Sequence, residues 1–144
     1  MITTRFIGAD DIAAAEEFLN VYDANYDWRV DLNRDEFLDA VSDDAEYYIG
    51  AFDDDEIVGV ISLGGADGVI DEAADDDALL SDLYVIPQAR NAGIGGMLVA
   101  RGLSEAKDQG YLGMYACILD DNLVQYYRRF GFTQVYPGLL YREL

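Results

Sequence analysis

The sequence has no histidine, one cysteine (Cys117), one lysine (Lys107), one tryptophan (Trp28) and two prolines. Each shortage removes a class of chemistry. A lone thiol closes no intrachain disulfide and suits a reducing compartment. Without histidine, and with a single cysteine, the ordinary zinc ligand sets are missing, so no metal site is expected. Catalysis of any kind must do without the commonest general base. There is no amino-terminal signal pattern and no apolar run long enough to span a bilayer. The expectation is a cytoplasmic protein without membrane contact.

Positive charge is scarcer still in proportion. Nine lysines and arginines face 29 aspartates and glutamates, a net charge of −20. Nucleic acid is therefore disfavoured as a surface partner, because phosphate contacts require clustered cations. The acidic runs Asp43-Asp44, Asp53-Asp54-Asp55 and Asp75-Asp76-Asp77 lie between apolar segments rather than in a tail. Self-repulsion at this density opposes a compact state unless salt screens it. An aspartate-rich, lysine-poor surface resembles that of salt-adapted cytoplasmic proteins. The competing reading is an acidic face for a basic partner.

What is present is a core. Hydrophobic residues make up 51% of the 144, which suits one domain over residues 1–144 that buries roughly two-thirds of its unfolded surface. Ile2 to Ile7 reads as a first strand. Asp10 can cap a helix with the stripe Ile12, Ala15, Leu19 and Tyr22. Tyr22 to Asp31 has no period and reads as a loop or broken helix. Asn33 starts a second helix, with Glu36 placed as a capping box requires. Glu46–Phe52 and Glu56–Leu63 form a hairpin through the acidic turn at Asp53-Asp54-Asp55. Gly64 to Asp77 reads as an exposed connection. Later come strands at 111–119, 132–136 and 139–143, with a short helix at Leu123–Phe130 before the last two. The predicted order is β-α-α-β-β-β-α-β-α-β-β, a mixed α/β fold with about seven strands in a central sheet flanked by helices.

The most informative stretch is Leu79 to Ala106. An apolar strand ends at Pro87, which lacks the N–H for the ladder. A polar turn, Gln88 to Ala92, leads to Gly93-Ile94-Gly95-Gly96 and then a helix with the stripe Leu98, Val99, Gly102, Leu103 and Ala106. Glycines bring main-chain N–H groups close to a ligand, and the helix dipole adds partial positive charge. Arg90 adds a full charge beside them. The ligand of such a site is a phosphate or pyrophosphate. A P-loop is excluded, since no Gly-Lys-Ser/Thr follows. A dinucleotide fingerprint fits poorly, because the turn separates strand from glycine and Leu98 stands where the third glycine belongs.

Arg90-x-x-Gly93-x-Gly95 after Leu83-Tyr84-Val85 resembles the acetyl-CoA motif of the GNAT superfamily of N-acetyltransferases. Tyr127-x-x-x-Gly131-Phe132 resembles that family's second hallmark, and the element order matches nearly end to end. The resemblance implies transfer of an acetyl group from acetyl-CoA to a primary amine, by direct attack on the thioester. It implies that Arg90, Asn91, Ala92, Gly93, Ile94, Gly95 and Gly96 hold the pyrophosphate. Main-chain groups of Leu83, Tyr84 and Val85 would pair with the pantetheine amides. Tyr127 is the candidate proton donor to the departing thiolate, with Tyr126 its rival if the helix phase differs by one. Asp82 is the candidate acceptor of the amine's proton, directly or through water, although strand alternation implies that Ser81 and Asp82 do not both face the acceptor. Two departures from the family pattern stand out. Asn122 lies five residues before Tyr127 rather than seven, which weakens its candidacy as a pantetheine ligand. Ser81 occupies the position that is often glutamate. Tyr84 either lines the acceptor site or packs in the core, and Cys117 reads as a small buried hydrophobe.

The acceptor is a small-molecule or peptide amine, and a homodimer is compatible with the sequence. Two other functions stay open: a CoA-binding sensor or interaction domain without catalysis, and a binder of some other phosphate or nucleotide. The charge balance generates a prediction of its own. Thermal stability should rise steeply between low and molar salt. Screening acts within about 10 Å already at 0.1 M, so gain beyond that reflects cation binding or reduced apolar solubility. A melting temperature flat with salt contradicts the salt-adapted reading.

Overall fold

The apolar runs condense into one seven-stranded sheet in the order β1-β2-β3-β4-β5-β7-β6, here described for residues 1–144 from a computed structural model. The elements are β1 (Ile2–Phe6), α1 (Ile12–Ala24), α2 (Arg34–Ser42), β2 (Tyr48–Asp53), β3 (Glu56–Gly65), β4 (Asp77–Val85), α3 (Ile94–Asp108), β5 (Gly113–Cys117), α4 (Leu123–Arg128), β6 (Thr133–Tyr136) and β7 (Leu139–Glu143). This is the predicted order, and the mixed α/β class stands. Every neighbouring pair is antiparallel except β4–β5, which is parallel and is bridged by the crossover through α3. No helix is long and apolar enough to cross a membrane.

Several boundaries differ from expectation for identifiable reasons. Asp10 does not cap α1. A 3-10 turn, Ala9–Asp11, comes first, and Asp11 is the residue whose carboxylate accepts the Gly8 N–H at 2.9 Å and a bidentate pair from Arg5. Asn33 caps α2 as predicted, its Oδ1 accepting the Glu36 N–H at 3.0 Å. Glu46 has φ of 51°, in the left-handed region that breaks an extended strand, so β2 begins later, at Tyr48. The connection before β4 is not wholly exposed: Ala66 is buried in a small second cluster with Leu79 and Tyr115. Gly95 and Gly96 lie inside the first turn of α3 rather than in the loop before it.

The apolar stripe of α3 is buried as read: Ile94, Leu98, Val99, Gly102, Leu103 and Ala106. This helix crosses β1 to β4, while α1 packs on β3 and on α2. Two side chains of β4 show which face each helix covers. Leu80 reaches α3 at Gly102, whereas the Tyr84 ring meets Phe18 and Tyr22 of α1 edge-on, with centroids 5.9 and 5.1 Å away. Residues four apart on a regular strand share a face, so something between them shifts the alternation. It is a bulge: Val60 pairs with Tyr84 and Ser62 with Ser81, so Asp82 and Leu83 together face Ile61.

The α3–sheet contact has no slack at Gly102. A Cβ there would lie 2.6 Å from Leu80 Cδ1. Gly102→Val should therefore destabilise the protein by about 1–3 kcal/mol, the range for overpacking a filled core. Ala100→Val, on the exposed side of the same helix, should cost less than about 0.7 kcal/mol from propensity alone. Urea unfolding of both variants measures the difference. Equal losses would mean that the contact tolerates a side chain.

Candidate active site

β4 and β5 pair only from Asp77–Gly113 to Leu80–Ala116. Beyond that point β4 runs on to Val85 paired with β3 alone, and the sheet splits on the β5 side. The Ile86 N–H bonds the Val58 carbonyl on β3 at 3.0 Å. By alternation Val85 and Leu83 therefore turn their own N–H and C=O into the split, while Tyr84 turns its pair toward Val60 on β3. Of the three main-chain groups expected to face a ligand, two are placed to do so.

The cavity beside this open edge has a volume of about 790 Å³. Of the residues expected to hold the coenzyme, Leu83, Tyr84, Val85, Arg90, Asn91, Gly93, Ile94, Gly95 and Gly96 line this cavity, and Ala92 and Asn122 do not. Asn122 is exposed, and only its main-chain N–H is engaged, by Asp120 Oδ1 at 3.0 Å. Gly93 caps α3 with φ of 78°, a left-handed conformation with open space around it, so conformation rather than room selects glycine there. The first N–H of α3 with a protein acceptor is that of Met97, bonded to the Gly93 carbonyl. The N–H groups of Ile94, Gly95 and Gly96 thus remain available at the helix start.

Charge in the wall is the reverse of charge elsewhere. Arg29, Arg90 and Arg129 all line this cavity, three of the chain's nine cationic side chains, and Asp27 is the one acidic lining residue among 29. Arg90 donates from Nε to the Val85 carbonyl at 2.9 Å and lies 3.8 Å from Asp27. Arg29 grips Asp27 with two short bonds and approaches Asp120 at 3.6 Å, so it links the α1–α2 loop to the β5–α4 loop. The hydrogen bonds from Arg29 hold the Asp27 carboxyl below the usual range.

The α1–α2 loop enters the wall because Tyr22 ties it down. The Tyr22 hydroxyl donates to the Val30 carbonyl at 2.6 Å and accepts the Leu32 N–H at 3.2 Å. Nothing local in the sequence marks this loop as part of the site, and Asp27, Arg29, Val30, Ala89, Leu123, Tyr126, Arg129 and Phe130 line the cavity beyond the residues expected to hold the coenzyme. The one usable signal was scarcity: in a chain with so few cations, each arginine in a loop is a candidate for an anion site.

Deeper in the split lie the two residues predicted as catalytic, neither of them in the cavity wall. Asp82 has φ of 57° at the bulge. The bulge undoes the alternation argument, because Ser81 and Asp82 both reach the buried Ser62 hydroxyl, at 2.7 and 3.3 Å. Burial pushes the Asp82 carboxyl up; the Ser62 bond opposes this, and Asp31 and Glu36 add to it. Tyr127 is 1% exposed and packs edge-on against Phe132. Burial drives its pKa far up, and its titratable neighbours are Tyr126, Asp82 and Cys117. Cys117, read from the sequence as a small buried hydrophobe, is only half-buried, and that partial burial raises its thiol. Tyr84, at 2% exposed, is a core aromatic whose edge also touches the cavity.

Residues 13–132 match the model of the acetyltransferase (GNAT) family. Among solved structures, the chain is similar to a GNAT family acetyltransferase from Brucella melitensis in complex with acetyl-CoA, with 23% identity, a TM-score of 0.70, and coverage of 100% of this chain and 88% of that one. It is also similar to the PaiA N-acetyltransferase from Thermoplasma acidophilum in complex with coenzyme A, with 18% identity, a TM-score of 0.69, and coverage of 100% and 99%. A GNAT family acetyltransferase from Staphylococcus aureus shares 22% identity at a TM-score of 0.73, covering 100% and 99%. No protein with a curated function matches it in sequence. Split strand, glycine loop, cationic cavity and family match converge, and the chain belongs to the acetyltransferase (GNAT) family, acyltransferases whose acetyl donor is acetyl-CoA.

Proposed function

We propose that this protein moves the acetyl group of acetyl-CoA to a primary amine by direct attack on the thioester. One observation carries the reading: a chain of net charge −20 gathers Arg29, Arg90 and Arg129 around a single cavity at a helix start. A polyanionic backbone is the ligand chemistry that fits. Arg90 and the free N–H groups of α3 bind the pyrophosphate, and the main-chain groups of Leu83 and Val85 pair with the pantetheine amides along the open edge. Binding requires Arg90 to leave the Val85 carbonyl, which frees that acceptor for the ligand.

The acceptor amine arrives as an ammonium ion and must lose a proton before its lone pair can attack the carbonyl carbon. Asp82 takes that proton, directly or through water. Its burial makes it a stronger base than a surface aspartate. As the new C–N bond forms and the C–S bond breaks, the thiolate takes a proton from Tyr127. Burial keeps the Tyr127 hydroxyl protonated throughout the working pH range. The acceptor is a small-molecule or peptide amine.

A second reading is a CoA-binding module without turnover. It is favoured by the depth of Tyr127, which lies outside the cavity wall, and by the serine at position 81. Acetyl-CoA consumption against an amine panel in molar salt separates the two. The expected result is turnover with at least one amine. Tyr127→Phe should lower that turnover by on the order of 10²–10⁴-fold, with acetyl-CoA affinity unchanged because the ring still fills its place. CoA binding with no turnover on any amine supports the module. No CoA binding at all rejects both readings.

A further inference from the structure

Tyr126 has a feature that the proposed reaction does not use. Its hydroxyl is buried and has no hydrogen-bond partner in the protein, a state shared among buried side chains only with the Tyr84 hydroxyl. A buried hydroxyl without a partner typically costs about 1–3 kcal/mol. Such a group in a binding cavity points to a partner that is not protein. Tyr126 lines the cavity, whereas its neighbour Tyr127 turns inward.

Its position is well defined. The oxygen lies 2.9 Å from where a Cβ on Gly95 would stand and 3.9 Å from the corresponding point on Gly96. It therefore rests on the first turn of α3, beside the unpaired N–H groups of Ile94, Gly95 and Gly96. The ring is held there by Tyr127 at 5.5 Å and Phe130 at 5.6 Å. The proximity also accounts for Gly95, since any side chain there would displace the hydroxyl. Around this point the cavity offers donors: the helix N–H groups, Arg90 and Arg129. A fully ionised phosphate only accepts hydrogen bonds, and a protonated phenol can donate to it. Burial raises the Tyr126 pKa, with Arg129 opposing, so the hydroxyl carries its proton at neutral pH.

We propose that the Tyr126 hydroxyl donates a hydrogen bond to a pyrophosphate oxygen of the coenzyme and thereby selects the phosphorylated donor over a bare pantetheine thioester. This rests on the functional reading above, in which the coenzyme's pyrophosphate occupies the start of α3. Tyr126 acts in binding, while proton donation to the thiolate falls to Tyr127.

Tyr126→Phe keeps the ring and removes only the hydroxyl. Calorimetry with CoA and with pantetheine, followed by steady-state kinetics with acetyl-CoA and S-acetylpantetheine, tests the assignment. Loss of a charge-assisted hydrogen bond corresponds to roughly ten- to hundred-fold weaker binding. That loss should appear for CoA and acetyl-CoA, with no change for the two pantetheine compounds, an unchanged kcat, and a melting temperature of the free protein that is raised rather than lowered, because the variant lacks the unpaired buried hydroxyl. Equal weakening of both donors, or of neither, overturns the assignment. A fall in kcat at constant donor affinity also overturns it and makes Tyr126 the proton donor instead. If the unaltered protein binds no CoA, the functional reading itself fails and this assignment goes with it. If it binds CoA and the variant binds as tightly, only the role of Tyr126 is rejected.

Discussion

The site depends on one interruption in the main-chain hydrogen bonding of the sheet. At Asp82 the backbone turns into the left-handed region, and two residues of β4 face one of β3. A single extra residue has two consequences. It reverses which faces the side chains occupy, so Leu80 packs under α3 while Tyr84 packs under α1. It also coincides with the end of β4–β5 pairing after Leu80, and this leaves the N–H and C=O groups of Leu83 and Val85 unpaired by any strand. An open ladder inside a sheet is costly unless something else bonds to it. Here Arg90 covers one of the freed carbonyls. Bulges bend strands and re-aim side chains next to active sites, and this one brings Ser81 and Asp82 to the same buried hydroxyl of Ser62.

Electrostatics determines what the opening can hold. A uniformly acidic chain repels anions at long range, and salt shortens that range to about 10 Å at 0.1 M. Within that distance the local arrangement governs, and locally the cavity is cationic. Asp27 tempers it by binding Arg29 and approaching Arg90. Arg29 and Arg90 are thus held against one carboxylate rather than left to extend into solvent. A bound phosphate competes with that carboxylate for the same donors. The interior half of the split is different in kind: Asp82, Tyr127 and Cys117 are all shifted toward their protonated forms by burial.

Much of this was legible in the sequence, and the rest was not for definable reasons. The stripe of α3 and the Pro87 strand end are local signals, and both held. So did the capping of α2 by Asn33, because a cap is a contact within one turn. Asp10 and Asp11 are chemically alike, and only the distant Arg5 separates them. The bulge at Asp82 left no trace, because an aspartate in a left-handed conformation looks like any other aspartate in an apolar run. Alternation then misplaced Ser81 relative to Asp82. The loop at Asp27 to Val30 joins the site through Tyr22 and through charges far along the chain, and periodicity does not report such contacts. Tyr126 and Tyr127 were separable only by the helix phase, which a six-residue helix defines weakly.

The central claim is that the coenzyme lies with its pyrophosphate at the start of α3 and its pantetheine along the open edge of β4. The most direct measurement is a titration of CoA into isotope-labelled protein, followed through the backbone amide resonances. The account predicts that the amides of Ile94, Gly95 and Gly96 shift first and most, together with those of Leu83 and Val85. The amide of Tyr84, which faces β3, should move less. Shifts centred elsewhere, or none at Gly95 and Gly96 at saturating CoA, would contradict it.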